Sequence, residues 1–225
     1  MKKLLFVPAL LLLIASCGNL ANQVVDNTKL ATDIKTSFAA ATVNVNSTVT
    51  NRSGSYEIEI SRSALGSQLQ FDEQRVATAV AVYALTKIGE GVDTIRVKIE
   101  GDSLKDIFSF DEKELKGYSK SAASADAYLT AMLKKDEAAL LSNGNPEYLG
   151  KSAMPQVTTL AGELSALGTE QSRQLAGIMD SNIDNTTIPV HVVTYLVKFS
   201  GGEKRVCTFF VNSESDHKVA GFDIR

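Results

Sequence analysis

Val190-His191-Val192-Val193-Thr194-Tyr195-Leu196-Val197-Lys198-Phe199, then Ser200-Gly201-Gly202-Glu203, then Lys204-Arg205-Val206-Cys207-Thr208-Phe209-Phe210-Val211, is the stretch on which the fold turns. β-Branched and aromatic residues fill both runs, and glycines separate them, which predicts two strands joined as a hairpin. A two-residue turn at Gly201-Gly202 would set the register, because glycine accepts the positive φ that such turns demand. It places Phe199 opposite Lys204, Val197 opposite Val206, Tyr195 opposite Thr208, Val193 opposite Phe210 and His191 opposite Asn212. On the other face Leu196 meets Cys207, Thr194 meets Phe209 and Val192 meets Val211. Both faces are apolar over their middle, whereas a sheet with one wet face alternates. Each face therefore requires a cover.

Downstream, Lys218 to Ile224 adds a last strand, and upstream Arg173 to Ile183 permits either helix or strand. Helices over 125–142 and 156–167 follow from Tyr128, Leu129, Met132, Leu133 and Leu140, and from Val157, Leu160, Ala161, Leu164 and Leu167. The small, polar run 117–124 reads as a linker. Before it, Thr42–Val49 and Tyr56–Ile60 alternate around Asn51-Arg52-Ser53-Gly54-Ser55 and predict a second hairpin. A helix with Asp72 and Glu73 in its first turn runs through Val76, Ala79, Val80, Tyr83 and Ala84 to Gly89. Asp93–Glu100 then predicts a strand with Ile95, Val97 and Ile99 inward, and Ile107–Phe110 a shorter one. The order β-β-α-β-β implies an antiparallel sheet with one helix on its face. The fold class is thus α+β in two small domains, at about 31–117 and 121–225.

The chain has 225 residues, 23 basic and 26 acidic, and only two cysteines, Cys17 and Cys207. The mild negative charge, with no basic cluster carrying aromatics, argues against a nucleic-acid partner. Two histidines and no HxxxH or CxxC spacing leave no set of metal ligands, and no cofactor motif stands out. Cys207, between Val206 and Thr208-Phe209-Phe210, reads as a buried, inert thiol.

The first residues carry a different message. Lys2-Lys3, an apolar run from Leu4 to Ile14 and small residues after it form a secretory signal, too short to span a bilayer. Ile14-Ala15-Ser16-Cys17 resembles the lipobox of bacterial lipoprotein precursors. That resemblance implies cleavage between Ser16 and Cys17, removal of residues 1–16, and fatty-acyl chains on Cys17 that hold the protein to a membrane. The mature chain would carry 21 basic against 26 acidic residues, a net charge of −5. Residues 17–30 would be a tether, and Gly18 rather than Asp after the cysteine implies an outer-membrane, periplasm-facing location.

The order helix, helix, long hairpin, and the closing Val219-Ala220-Gly221-Phe222, resemble the nuclear-transport-factor-two-like, or cystatin-like cone, envelope domains over 121–225. That fold hosts enzymes and binding modules alike. Its implied pocket lies between helices and concave sheet, where His191, Tyr195 and Asp223 are the available occupants. His217 reads as a solvated turn residue, and Asp223 beside Arg225 as a surface pair. Two functions follow as expectations. The first is a lipid-anchored envelope protein of non-catalytic binding or structural type, partnered through its C-terminal sheet by a second copy or an envelope protein. The second is a cone-fold hydrolase or isomerase using His191 with Asp223 or Tyr195.

Overall fold

The computed structural model describes residues 26–50, 53–100, 105–183, 188–214 and 216–225. Cys17, Ser16 and the signal segment lie outside these residues.

The first described element belongs to the folded body. Asp26 caps helix α1 (Asn27–Phe38) by accepting from the amides of Thr28 and Lys29. Leu30, Ile34 and Phe38 recur on one side of the helix and are buried. Residues 27–30, expected within a tether, are therefore helix. The signal was the four-residue spacing of these apolar side chains, set among polar neighbours.

β1 (Val43–Thr50) and β2 (Ser53–Ser61) form the expected antiparallel hairpin. α2 (Ala64–Leu69) and α3 (Glu73–Ile88) follow, then β3 (Val92–Glu100) and β4 (Lys105–Asp111). The sheet order is β1-β2-β3-β4, but β2 and β3 run parallel, so the sheet is mixed rather than antiparallel. The reason is the length of α3: 16 residues of helix carry the chain roughly 24 Å back, about a strand's length, so β3 starts where β2 started. Ile95, Val97 and Ile99 point inward as expected, while Lys98 reaches Glu57 at 2.7 Å on the outer face. α3 is buried almost all round, from Val76 through Leu85. Its alanines let it pack against β3 on one side and a strand of the second sheet on the other.

α4 (Glu112–Lys134) is a single helix of 23 residues that runs straight through the stretch expected to be a linker. Asp111 caps it, and Leu115, Tyr118, Ser121, Ala122, Ala125, Tyr128, Leu129 and Met132 form its buried stripe. Small residues at 121–125 look like a linker in composition, yet alanine is the best helix former and lets the backbone approach a sheet. The helix expected over 125–142 is broken at Lys135, which has φ 56°, and α5 (Glu137–Asn143) restarts on an Asp136 cap. α6 (Met154–Ala166) completes the helices.

The second sheet is an antiparallel meander of β5 (Glu170–Asn182), β6 (Pro189–Phe199), β7 (Lys204–Asn212) and β8 (Val219–Ile224). The molecule is α+β, with one four-stranded sheet in each half. The β6–β7 register is one residue away from the expectation: Tyr195 pairs with Cys207, Val193 with Phe209 and His191 with Val211, while Leu196 pairs with Val206 and Val192 with Phe210. The loop has three residues, not two. The Gly202 amide bonds the Phe199 carbonyl and the Phe199 amide bonds the Glu203 carbonyl, both at 2.9 Å, with Gly202 at φ 88°. The choice is tertiary, since the Ser200 and Gly201 amides are taken by the carbonyls of Thr169 and Leu167. A side chain at Gly201 would meet the Leu167 oxygen at 2.9 Å.

The shift moves Cys207 and Phe209 to the face that packs on α4, and Phe210 to the opposite one. On the α4 face Val193, Val197, Phe199, Cys207, Phe209 and Val211 are fully buried. The opposite face receives α2 and α3 from the same chain: Phe71 and Arg75 lie over Gly177, and Arg75 bonds Thr194.

Candidate functional site

His191 and Tyr195 stand four residues apart on β6, so both face α4. The Tyr195 hydroxyl donates to the Ala122 carbonyl at 2.8 Å, and burial pushes its pKa up. Asp223 lies on β8 opposite Thr208, on the other face of the sheet, and its Oδ2 accepts from Arg225 Nε at 2.7 Å. The expected trio is therefore not one site. Two members share a face, and the third is half of a surface pair.

Around His191 the structure assembles a different set. Ser121, the only fully buried polar residue of α4, places Oγ 2.8 Å from His191 Nδ1 and 3.0 Å from His217 Nδ1. Asp180 faces His191 across the β5–β6 ladder, with Oδ1 3.5 Å from His191 Nε2. Its Oδ2 accepts from the Tyr118 hydroxyl at 2.9 Å, and the Tyr118 ring packs against the imidazole at 4.7 Å between centroids. His217 is not a solvated turn residue: it is partly buried, at φ 51°, and bonded to Ser121.

The proton count constrains this network. Ser121 has one hydroxyl proton and can donate to only one Nδ1, so the other imidazole must carry its own proton there. Burial lowers the pKa of both histidines. Asp180 counteracts this at His191, while Lys120 adds to it and Asp216 opposes it at His217. Burial, then the bond and charge of Asp180, raise that of Tyr118. Both histidines are accordingly neutral near pH 7, and each can accept or relay a proton.

Serine, histidine and aspartate in sequence are the composition of a nucleophilic triad. The geometry departs from one in three respects, the first being that the serine meets Nδ1 and the carboxylate lies toward Nε2, the reverse of the triad arrangement. The hydroxyl is 0 % exposed within α4, so no substrate carbonyl can reach it, and the 3.5 Å contact to Asp180 is long. What the network does is tie α4, β5, β6 and the β7–β8 connection together.

None of Ser121, Tyr118, Asp180 and His217 was expected in a site. Ser121 and Tyr118 fell within the supposed linker, and their signal was the helical repeat Leu115, Tyr118, Ala122, Ala125. Cys207 is fully buried and burial pushes its thiol up to about 12, as its apolar neighbours implied. Among the described residues no three metal-binding side chains cluster, and no helix is long and apolar enough to cross a membrane.

Of the grooves that open elsewhere, two border Phe71. One, of about 720 Å³, runs between α2, the start of α3 and strands β3 and β4, with Arg62, Gln70, Phe71, Ile99 and Phe108 in its walls. The other, of about 400 Å³, lies where Phe71 and Arg75 meet the face of β6, β7 and β8 that points away from α4. Set against known proteins, the chain matches no family, no curated protein and no solved structure.

Proposed function

We propose that the chain is a lipid-anchored cell-envelope protein of non-catalytic binding type, held through Cys17 and facing the periplasm at the outer membrane. The lipobox-like run Ile14-Ala15-Ser16-Cys17 supports the anchor, and Gly18 supports the location. The observation that carries the non-catalytic reading is the occupation of every expected catalytic group: Tyr195 by a backbone carbonyl, Asp223 by Arg225, and His191 by a serine closed to solvent. A homodimer or an envelope partner docking on the C-terminal sheet belongs to the same proposal. The surface available to it is what α2 and α3 leave of the second face, where Leu196, Val206 and Phe210 are half-buried.

The experiment is metabolic labelling with a tagged fatty acid, followed by envelope fractionation. Wild-type protein should carry label and sediment with the outer membrane, and Cys17→Ala should lose the label. Equal labelling of the two would overturn the anchor. The Ser121–His191–Asp180 composition favours a second reading, a hydrolase with Ser121 as its nucleophile. Covalent capture of Ser121 by a fluorophosphonate on the native protein would establish that reading in place of the first.

A further inference from the structure

The smaller groove holds the one feature of the described surface that departs from how this chain otherwise treats buried charge. Arg173, similarly half-buried, meets Asp126 at 2.6 Å, Glu170 at 2.7 Å and the Thr130 hydroxyl at 2.9 Å. Arg75 has no such company. Its guanidinium lies 3.9 Å from the centre of the Phe71 ring and donates once, from Nη2 to Thr194 Oγ1 at 2.6 Å. Its Nε is buried with no partner, and no carboxylate of the described residues forms an ion pair with it. A guanidinium carries five N–H donors, and burying it without a counter-charge is costly.

The neighbouring charges do not remove the deficit. The charge of Asp72 partly offsets burial at Arg75, but Asp72 forms no ion pair with the guanidinium and its Oδ1 is bound to the Arg75 backbone amide at 2.7 Å as the cap of α3. Arg225 lies close enough to push the Arg75 pKa further down, adding to the larger effect of burial. Its own partner is Asp223, and both side chains are about half exposed or more, so the pair is worth little. Between the arginines the walls carry the apolar Leu69, Phe71, Val206 and Phe210 beside the polar Gln68, Gln70 and Thr208.

We propose that this groove binds a small organic carboxylate, its anionic end on Arg75 and Arg225 and its apolar body along Phe71, Val206 and Phe210. The planar fork of a guanidinium matches a carboxylate with two parallel hydrogen bonds. Nε is closed to the groove, so the carboxylate meets the two terminal nitrogens, of which Nη2 keeps a second proton beside its bond to Thr194. A volume of about 400 Å³ is that of a compact ligand site. This names the ligand class of the binding body proposed above and rests on that reading.

The test is calorimetric titration of the full-length chain carrying Cys17→Ala with hexanoate, 1-hexanol and inorganic phosphate. Hexanoate should bind saturably at one site, and the uncharged alcohol and the phosphate should each bind about tenfold more weakly or worse. Arg225→Gln changes an exposed side chain, so the fold is not at stake. It should weaken hexanoate binding about threefold and leave the melting temperature unchanged. Arg75→Gln, if folded by circular dichroism, should abolish it. Equal binding of hexanol, equal binding of phosphate, or hexanoate affinity indifferent to both arginine variants would overturn the proposal. Absence of hexanoate binding would overturn the groove alone. Fatty-acid labelling and fluorophosphonate capture decide the wider reading separately.

Discussion

Gly177→Ala probes the seam between the two halves of the molecule with a single methyl group. Gly177 sits just after the bulge at Ala176, its φ is not positive, and alanine is therefore acceptable to its backbone. The space is not available: the new Cβ would lie 2.8 Å from Arg75 Cγ and 2.9 Å from two carbons of the Phe71 ring. Neither neighbour can swing away freely, since Arg75 is bonded to Thr194 and stacked on Phe71. Overpacking of this kind costs roughly 1–3 kcal/mol, and the reduced entropy of the unfolded chain returns about 0.4–1 kcal/mol. The net destabilisation is about 1–2 kcal/mol, a fall in melting temperature of about 2–8 °C for a chain of this size. Gly162→Ala is the matched control. It lies in the middle of α6 with nothing within 4 Å of its would-be Cβ, so it should stabilise by about 0.5–1 kcal/mol. Urea unfolding of both variants, followed by circular dichroism, gives the two signs directly. If Gly177→Ala is as stable as Gly162→Ala, α2 and α3 do not pack on that face of the sheet.

Ile34→Ala should cost about 2–5 kcal/mol in urea unfolding, because Ile34 is fully buried; a loss below 0.5 kcal/mol would make α1 peripheral. Cys207→Ala should cost about 1 kcal/mol. The native thiol should resist maleimide at pH 8 and react once the chain is unfolded, and fast native labelling would contradict its burial. Burial holds His191 and His217 below the usual imidazole range, so the unfolded chain takes up protons first as pH falls. The stability they contribute is complete above about pH 6.5 and is lost below it, toward the folded-state values. The melting temperature should therefore drop less steeply from pH 7 to 5 in His191→Asn than in wild type, and equal slopes would remove His191 from that loss.

Where one side chain's period decides an element, the sequence was readable. Ile95, Val97 and Ile99 alternate and are buried as read, and Asp72 caps α3 where the first turn was placed. Composition misled at 117–124, where serine and alanine signalled a linker but serve a helix that has to lie close to a sheet. The β6–β7 register failed for a reason outside the hairpin. Gly201-Gly202 fits a two-residue turn by local chemistry, but carbonyls at Leu167 and Thr169 select a three-residue loop. The same one-residue error would have left Cys207 and Phe209 on the wrong face. The site around Ser121 was illegible because its members come from four separate segments, none of which carries a motif. His217 is held by a partner 96 positions away.

α4 touches β3 and β4 near its start and β5 through β8 further along. It contains no proline, and Gly117 is its single glycine. A helix with no break of this kind has no interior joint at which one end can turn against the other. Rigid-body swinging of one sheet against the other would require α4 itself to melt, which exposes Leu115, Tyr128 and Leu129 together. Urea unfolding should therefore show a single transition, with amide protons in the middle of α4 exchanging only when both sheets open together, and two separate transitions would refute the coupling.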